Sequence, residues 1–336
     1  MKKLKRIFAV FFCLLLASGI LGSCGKAESS SAPAPSASQS GSKPLKIVTT
    51  IFPEYDWVRE ILGDKADHAE VTMLLDNGVD LHSYQPTADD IIKISDCDLF
   101  LYVGGESDGW VEDALKEATN KDMQVINLLD ALGEQVKEEE VVEGMEAEEE
   151  ESEDEDEPEY DEHVWLSLKN AETLCNAITD ALEEIDPANK DAYAANAASY
   201  LEKLAALDGE YQTMVDNAAR KTVLFGDRFP FRYLVDDYGL SYYAAFAGCS
   251  AETEASFETI SFLAGKVDEL GLPCVLTIEG AQHKIAETIV QNSAAKNQSI
   301  LTLDSMQSTT SADAANGTTY LSVMESNLDV LKQALN

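Results

Sequence analysis

The chain has 336 residues and is 45% hydrophobic, enough for more than one ordinary core, and it does not have the composition of a disordered protein. It carries 62 Asp and Glu against 24 Lys and Arg, a formal net charge of −38 that repels nucleic acid and favours cations. Its six cysteines include no Cys-x-x-Cys pair, so spacing gives no reason to expect a thiolate zinc site.

Lys2, Lys3, Lys5 and Arg6 precede an apolar run over residues 7–21, the pattern of a signal peptide and too short for a spanning helix. The run ends in Leu21-Gly22-Ser23-Cys24, which resembles a bacterial lipobox. Residues 1–23 are therefore expected to be removed and Cys24 to be acylated, anchoring the protein to the extracytoplasmic face of the cell membrane. Residues 24–44 hold Ser, Ala, Pro and Gly with few bulky side chains, a flexible tether.

From Lys46 onward, strand and helix patterns alternate. Residues 47–51, 71–75, 99–103 and 125–128 read as strands, with helices over 55–62, 87–95 and 110–118 between or after them. This order predicts a parallel sheet flanked by helices, an N-terminal lobe over residues 45–188. Within it, residues 134–162 carry eighteen acidic side chains and one Lys, which predicts a self-repelling, mobile loop. Residues 168–184 are helical, and Pro187 opens a further helical stretch in which Ala192, Ala195, Tyr200, Leu204, Leu207, Tyr211 and Met214 recur at helical spacing. Residues 189–220 are thus expected to form a stiff linking helix. A second α/β lobe is predicted over 221–336, with strands at 222–225, 242–246, 273–278 and 300–303. The fold class is α/β: two lobes with parallel sheets joined by a long rigid helix.

Ligands of open α/β sheets sit beyond the carboxyl ends of strands. His82 lies in the polar turn Asp80-Leu81-His82-Ser83-Tyr84-Gln85-Pro86-Thr87, after the 71–75 strand. His163 lies in Asp161-Glu162-His163-Val164-Trp165-Leu166-Ser167, where the acidic run meets an apolar segment. Asp227 and Asp304 each follow a strand of the second lobe directly. Two imidazoles and two carboxylates, two from each lobe, would suit a Zn²⁺ ion in the cleft and could hold Mn²⁺. Each residue also has a plain structural use: Asp227 could pair with Arg228 or Arg232, and Asp304 could cap a turn. His283, one helical turn after Glu279, reads as a helix-surface residue that could approach the cleft, and His68 as solvent-facing. Cys249 and Cys274 could form a disulfide or remain buried thiols.

At these residues the chain resembles the metal-binding lipoproteins of zinc and manganese ABC importers. The resemblance runs from about Lys46 to Asn336, through Ile47-Val48-Thr49-Thr50-Ile51-Phe52-Pro53, the 80–87 and 161–166 segments, and Tyr238-Gly239-Leu240. It implies one metal between two lobes, held by His82 and His163, with Asp304 as the family carboxylate. Where the family often carries a His or Glu as third ligand, this chain reads Gly226-Asp227-Arg228-Phe229-Pro230, with Asp227 the nearest candidate. Its interlobe loop is acidic where that of zinc members is often His-rich. The resemblance implies a non-enzymatic, monomeric capture protein that delivers Zn²⁺, or alternatively Mn²⁺, to a membrane permease. A metal-stabilised surface adhesin is a second reading. A metallohydrolase is a third, without the His-Glu-x-x-His helix it would use.

Overall fold

The computed structural model describes residues 43–146, 159–250, 254–280 and 283–336. The signal peptide, Cys24 and most of the tether lie outside the described residues. The first lobe is built on four parallel strands, β1 (Leu45–Thr49), β2 (Ala69–Met73), β3 (Leu99–Tyr102) and β4 (Gln124–Asn127), in the order β2-β1-β3-β4. Ile47 sits in register with Val71 on one side and Leu99 on the other. Because β1 and β3 are covered on both faces, Ile47, Val48, Leu99, Phe100 and Leu101 are all buried, as parallel strands require.

Helix α1 (Phe52–Leu62) begins three residues after β1 ends. Its first turn is closed by Glu54, whose Oε2 accepts from Thr50 N (2.7 Å), Thr50 Oγ1 (3.1 Å) and Ile51 N (3.3 Å). Burial pushes this carboxyl up to about 8, against the pull of those hydrogen bonds. A carboxyl raised in the folded state contributes stability that is whole below its ordinary value and is lost as pH rises toward 8. Glu54→Gln, which mimics the protonated group, is therefore expected to flatten the decline in stability between pH 5 and pH 9. Urea unfolding at the two ends of that range checks it; an unchanged decline would mean that Glu54 is charged in the fold at neutral pH.

The remaining helices of this lobe are α2 (Ala88–Ser95), α3 (Val111–Lys116), α4 (Leu128–Leu132) and α5 (Leu168–Ile185). Next comes α6 (Lys190–Asn217), whose 28 residues span about 42 Å at the α-helical rise. Asn196 on α6 donates to the Ile61 carbonyl of the first lobe (3.0 Å), while Tyr211 Oη donates to the Met324 carbonyl of the second (2.6 Å). The helix therefore links the lobes as a packed strut. Its buried stripe is Tyr193, Ala197, Tyr200, Leu204, Leu207 and Tyr211. Ala195, expected on that stripe, is exposed: the first turns carry alanine on several faces, so composition there does not set the phase.

The second lobe contains β5 (Thr222–Leu224), β6 (Arg228–Phe229), α7 (Arg232–Tyr238), β7 (Ser241–Tyr243), β8 (Phe246–Ala247), α8 (Phe257–Leu270), β9 (Cys274–Thr277), α9 (Lys284–Asn292), β10 (Ser299–Thr302), α10 (Ser311–Ala315) and α11 (Tyr320–Leu335). The parallel pairs β5-β7 and β9-β10 are joined by a bridge between Phe225 and Leu276 and by Gly226 N donating to Leu276 O (2.9 Å). A Cβ at Gly226 would lie 2.6 Å from Ala286 Cα, so α9 packs on bare backbone at this point. Cys97, Cys175, Cys249 and Cys274 are all free thiols, which leaves no Cys249–Cys274 disulfide. No helix among the described residues is long and apolar enough to cross a membrane.

The acidic run departs from the expected mobile loop in its described parts. Glu138 and Tyr160 form an antiparallel bridge, Glu139 N donates to Glu159 O (2.9 Å), and Asp161 N donates to Lys137 O (2.9 Å). The chain then crosses to the second lobe, where Glu146 N donates to Ala245 O (3.0 Å) and pairs beside Phe246. Met145 packs against the main core, and Glu140 pairs with Arg232 of α7. Apolar residues inside the run thus pin its first third across both lobes, although its overall composition is too charged to form a core.

Candidate metal centre

His82 lies in a single helical turn, Leu81–Ser83, that begins at Asp80, whose carboxylate accepts the His82 backbone N–H (3.0 Å). Asp80 is fixed in turn by Arg228 from the second lobe (2.6 Å). Burial alone would raise the Asp80 carboxyl, but Arg228 and His82 hold it below its ordinary value. The imidazole Nδ1 of His82 lies 2.8 Å from Ser107 Oγ and 3.4 Å from Glu162 Oε2. Glu162 also accepts the Ser107 N–H (2.9 Å), and Gly105 leaves room for it: a Cβ there would lie 2.3 Å from Oε1.

His163 is fully buried at the mouth of the turn Val164–Leu166. Asp161 Oδ1 accepts its backbone N–H (2.8 Å) and lies 3.0 Å from its Nδ1. The ring leans on Trp165 with centroids 5.2 Å apart, and Trp165 Nε1 donates to the Ser305 carbonyl (2.9 Å). Both imidazoles are therefore held from behind at Nδ1, by Ser107 for His82 and by Asp161 for His163, with Nε2 turned toward the other ring. The two Nε2 atoms face each other at 3.2 Å. Two nitrogens bound to one tetrahedral zinc at ordinary bond lengths lie about 3.3 Å apart. Burial and then the neighbouring His163 hold the His82 imidazole down to about 3, so it is neutral and able to bind a metal.

Among the described residues, the group of His, Cys and carboxylate ligand atoms that could share one ion is His82, His163 and Cys249, all within 4.8 Å of one another. The sequence reading did not include Cys249 among the candidate ligands. Asp227 and Asp304 are not in this group. Asp227 follows β5 as expected, but its carboxylate accepts from Arg228 N (3.0 Å) and Ile278 N (3.4 Å), and burial raises it. Asp304 follows β10 and accepts from Met306 N (2.8 Å). Burial and then Glu279 raise its carboxyl to about 6.

Glu279, which the sequence reading did not single out for a structural role either, supports the loop that carries Asp304. It accepts from Ser305 N (2.7 Å), Ser305 Oγ (2.7 Å) and Gln307 N (3.0 Å). In that loop Met306 has φ +65, an unusual left-handed backbone for a non-glycine residue. The loop meets the histidines through Trp165 and, with the Gln307 amide turned to satisfy its partners, through Asp80. His283 opens α9, with a buried Nδ1 that has no hydrogen-bond partner among the described residues, and His68 is exposed.

Residues 47–334 match the family described as zinc-uptake complex component A, periplasmic (ZnuA). The high-affinity zinc uptake system protein ZnuA of Bacillus subtilis is 32% identical over 337 residues, covering 99% of this chain and 98% of that protein. The zinc-binding lipoprotein AdcA of Streptococcus pneumoniae is 33% identical over 292 residues, 86% of this chain and 55% of AdcA. This chain thus spans about half the length of AdcA. The crystal structure of the Zn(II)-bound ZnuA-like domain of AdcA superposes with a TM-score of 0.67 at 30% identity, covering 87% of this chain and 99% of that domain. The fold, the facing histidines and the match over nearly all the described residues agree: the chain belongs to the zinc-uptake complex component A family.

Proposed function

We propose that this protein is an extracytoplasmic solute-binding lipoprotein that captures Zn²⁺ and delivers it to the permease of an ABC importer. The facing Nε2 pair carries the reading, because two imidazole nitrogens at 3.2 Å, each ring held from behind at Nδ1, are arranged for a shared cation. Nitrogen ligands favour zinc over the harder manganese ion, which ranks Mn²⁺ second. His82 and His163 are the first ligands. Asp304 and Asp227 are the carboxylates at the strand ends of the second lobe from which oxygen ligands would come, and Asp304 is the better supported, since its loop is tied to Trp165 and Asp80. Binding and release of the ion are the activity that this reading assigns to the site. The names of the relatives, a zinc uptake system protein and a zinc-binding lipoprotein, support the same cargo and a membrane-side location.

Cells lacking this protein are expected to accumulate zinc poorly from zinc-poor medium. The wild-type gene should restore uptake, and a His82→Ala, His163→Ala double variant should not. Unchanged uptake in the deletion strain, with no second zinc importer present, would contradict the reading. Cys24→Ser is expected to move the protein from the membrane fraction to the medium, because a signal peptide without acylation leaves no anchor. Retention of that variant in the membrane fraction would show that something other than Cys24 holds it.

A further inference from the structure

We infer that Cys249 Sγ is a third ligand of the ion held by His82 and His163, which makes this a mixed imidazole and thiolate site. The inference rests on the capture reading above. Its basis is the position of a free thiol whose sulfur lies within 4.8 Å of the ligand atoms of both histidines. A tetrahedral zinc with ordinary bond lengths sets sulfur and nitrogen about 3.6 Å apart, so a movement of roughly an ångström completes the geometry.

The residues around Cys249 hold it at that spot. Gly248 lies so close to His163 that a Cβ there would be 3.0 Å from both Cε1 and Nδ1 of the imidazole, which brings the next residue beside the ring. On one side, Glu139 Oε1 accepts the Cys249 backbone N–H (3.1 Å). On the other, Arg228 Nη1 donates to the Ser250 carbonyl (3.3 Å) while its other nitrogen holds Asp80 behind His82. A single guanidinium therefore ties the cysteine loop to the histidine turn across the cleft.

The segment at the start of β6 does not compete for the same coordination position. Gly226 has no side chain and no room for one, Asp227 is engaged with backbone N–H groups, and Arg228 is a cation. On binding, zinc takes the place of the thiol proton, which leaves to solvent, and the sulfur lone pair forms the bond. That exchange requires a metal with real affinity for sulfur. Soft thiolate then discriminates against Mn²⁺ more strongly than two imidazoles alone.

Cobalt(II) reports sulfur ligation directly. Titrating Co²⁺ into the reduced wild-type protein is expected to give visible bands of tetrahedral cobalt together with a near-ultraviolet sulfur-to-cobalt charge-transfer band. Cys249→Ser should lose the charge-transfer band, keep one weaker Co²⁺ site, and bind zinc roughly a hundredfold less tightly, the share of one ligand in a four-ligand site. Cys274→Ser should keep the band. If wild-type protein binds one Co²⁺ at His82 and His163 without a charge-transfer band, Cys249 is not a ligand and the capture reading stands. If neither Co²⁺ nor Zn²⁺ binds the wild-type protein, both the sulfur ligand and the capture reading fail. The wild-type spectrum decides the matter even if the serine variant folds poorly.

Discussion

Replacing His163 by Ala is expected to lower zinc affinity by a hundred- to a thousandfold. Structural zinc sites of four ligands bind with about 10–16 kcal/mol, so one ligand is worth roughly 2.5–4 kcal/mol. His163 is also the ring on which the site is built: Asp161 holds its Nδ1 and backbone, Trp165 packs one side, and the Gly248 backbone closes the other. Because zinc binds only the folded state, the variant should also lose most of the rise in melting temperature that zinc gives the wild type. Calorimetric titration and paired thermal melts check both expectations. Unchanged affinity in His163→Ala, with the fold intact, would place the ion elsewhere.

Trp165→Ala is expected to have the largest effect on stability, about 3–5 kcal/mol for a fully buried indole. Its nitrogen holds the Ser305 carbonyl next to Asp304, and its own carbonyl accepts the Tyr320 hydroxyl at the start of α11 (2.7 Å). The side chain thus joins the first-lobe histidine to the second-lobe carboxylate loop, while the backbone carbonyl of the same residue holds the closing helix. In a protein of this size the loss should lower the melting temperature by roughly 10 °C. Zinc should recover less of the deficit than in wild type, since the Asp304 loop is loosened with it. A variant with wild-type stability and zinc response would mean that the two lobes do not communicate through this residue.

The lobes were legible in the sequence because parallel strands buried on both faces appear as short apolar runs, and residues 47–51 and 99–103 are such runs. The two histidines were legible because each sits beside a carboxylate that shapes its turn, Asp80 for His82 and Asp161 for His163. Cys249 was not. A Gly-Cys-Ser turn carries no local metal signal, and the thiol meets His163 only because β8 returns the chain to the cleft, 86 residues further along. The sequence expectation on thiolate sites considered paired cysteines, and a single cysteine brought near two histidines by the fold has no spacing signature. Glu279 was hidden for the same reason, since its partners Ser305 and Gln307 are set by the pairing of β9 with β10. In the acidic run, charge density dominated the composition and masked Met145, whose packing on the core and neighbouring Glu146 bond to Ala245 tie it across the lobes.

Native mass spectrometry of the purified protein, with metal counted per chain after zinc addition and a brief wash with a weak chelator, tests the central claim most directly. The account predicts one zinc per chain in the wild type and none in the His82→Ala, His163→Ala double variant, with weakly held zinc on the acidic run removed from both. One tightly held zinc remaining in the double variant, or none in the wild type, would contradict it.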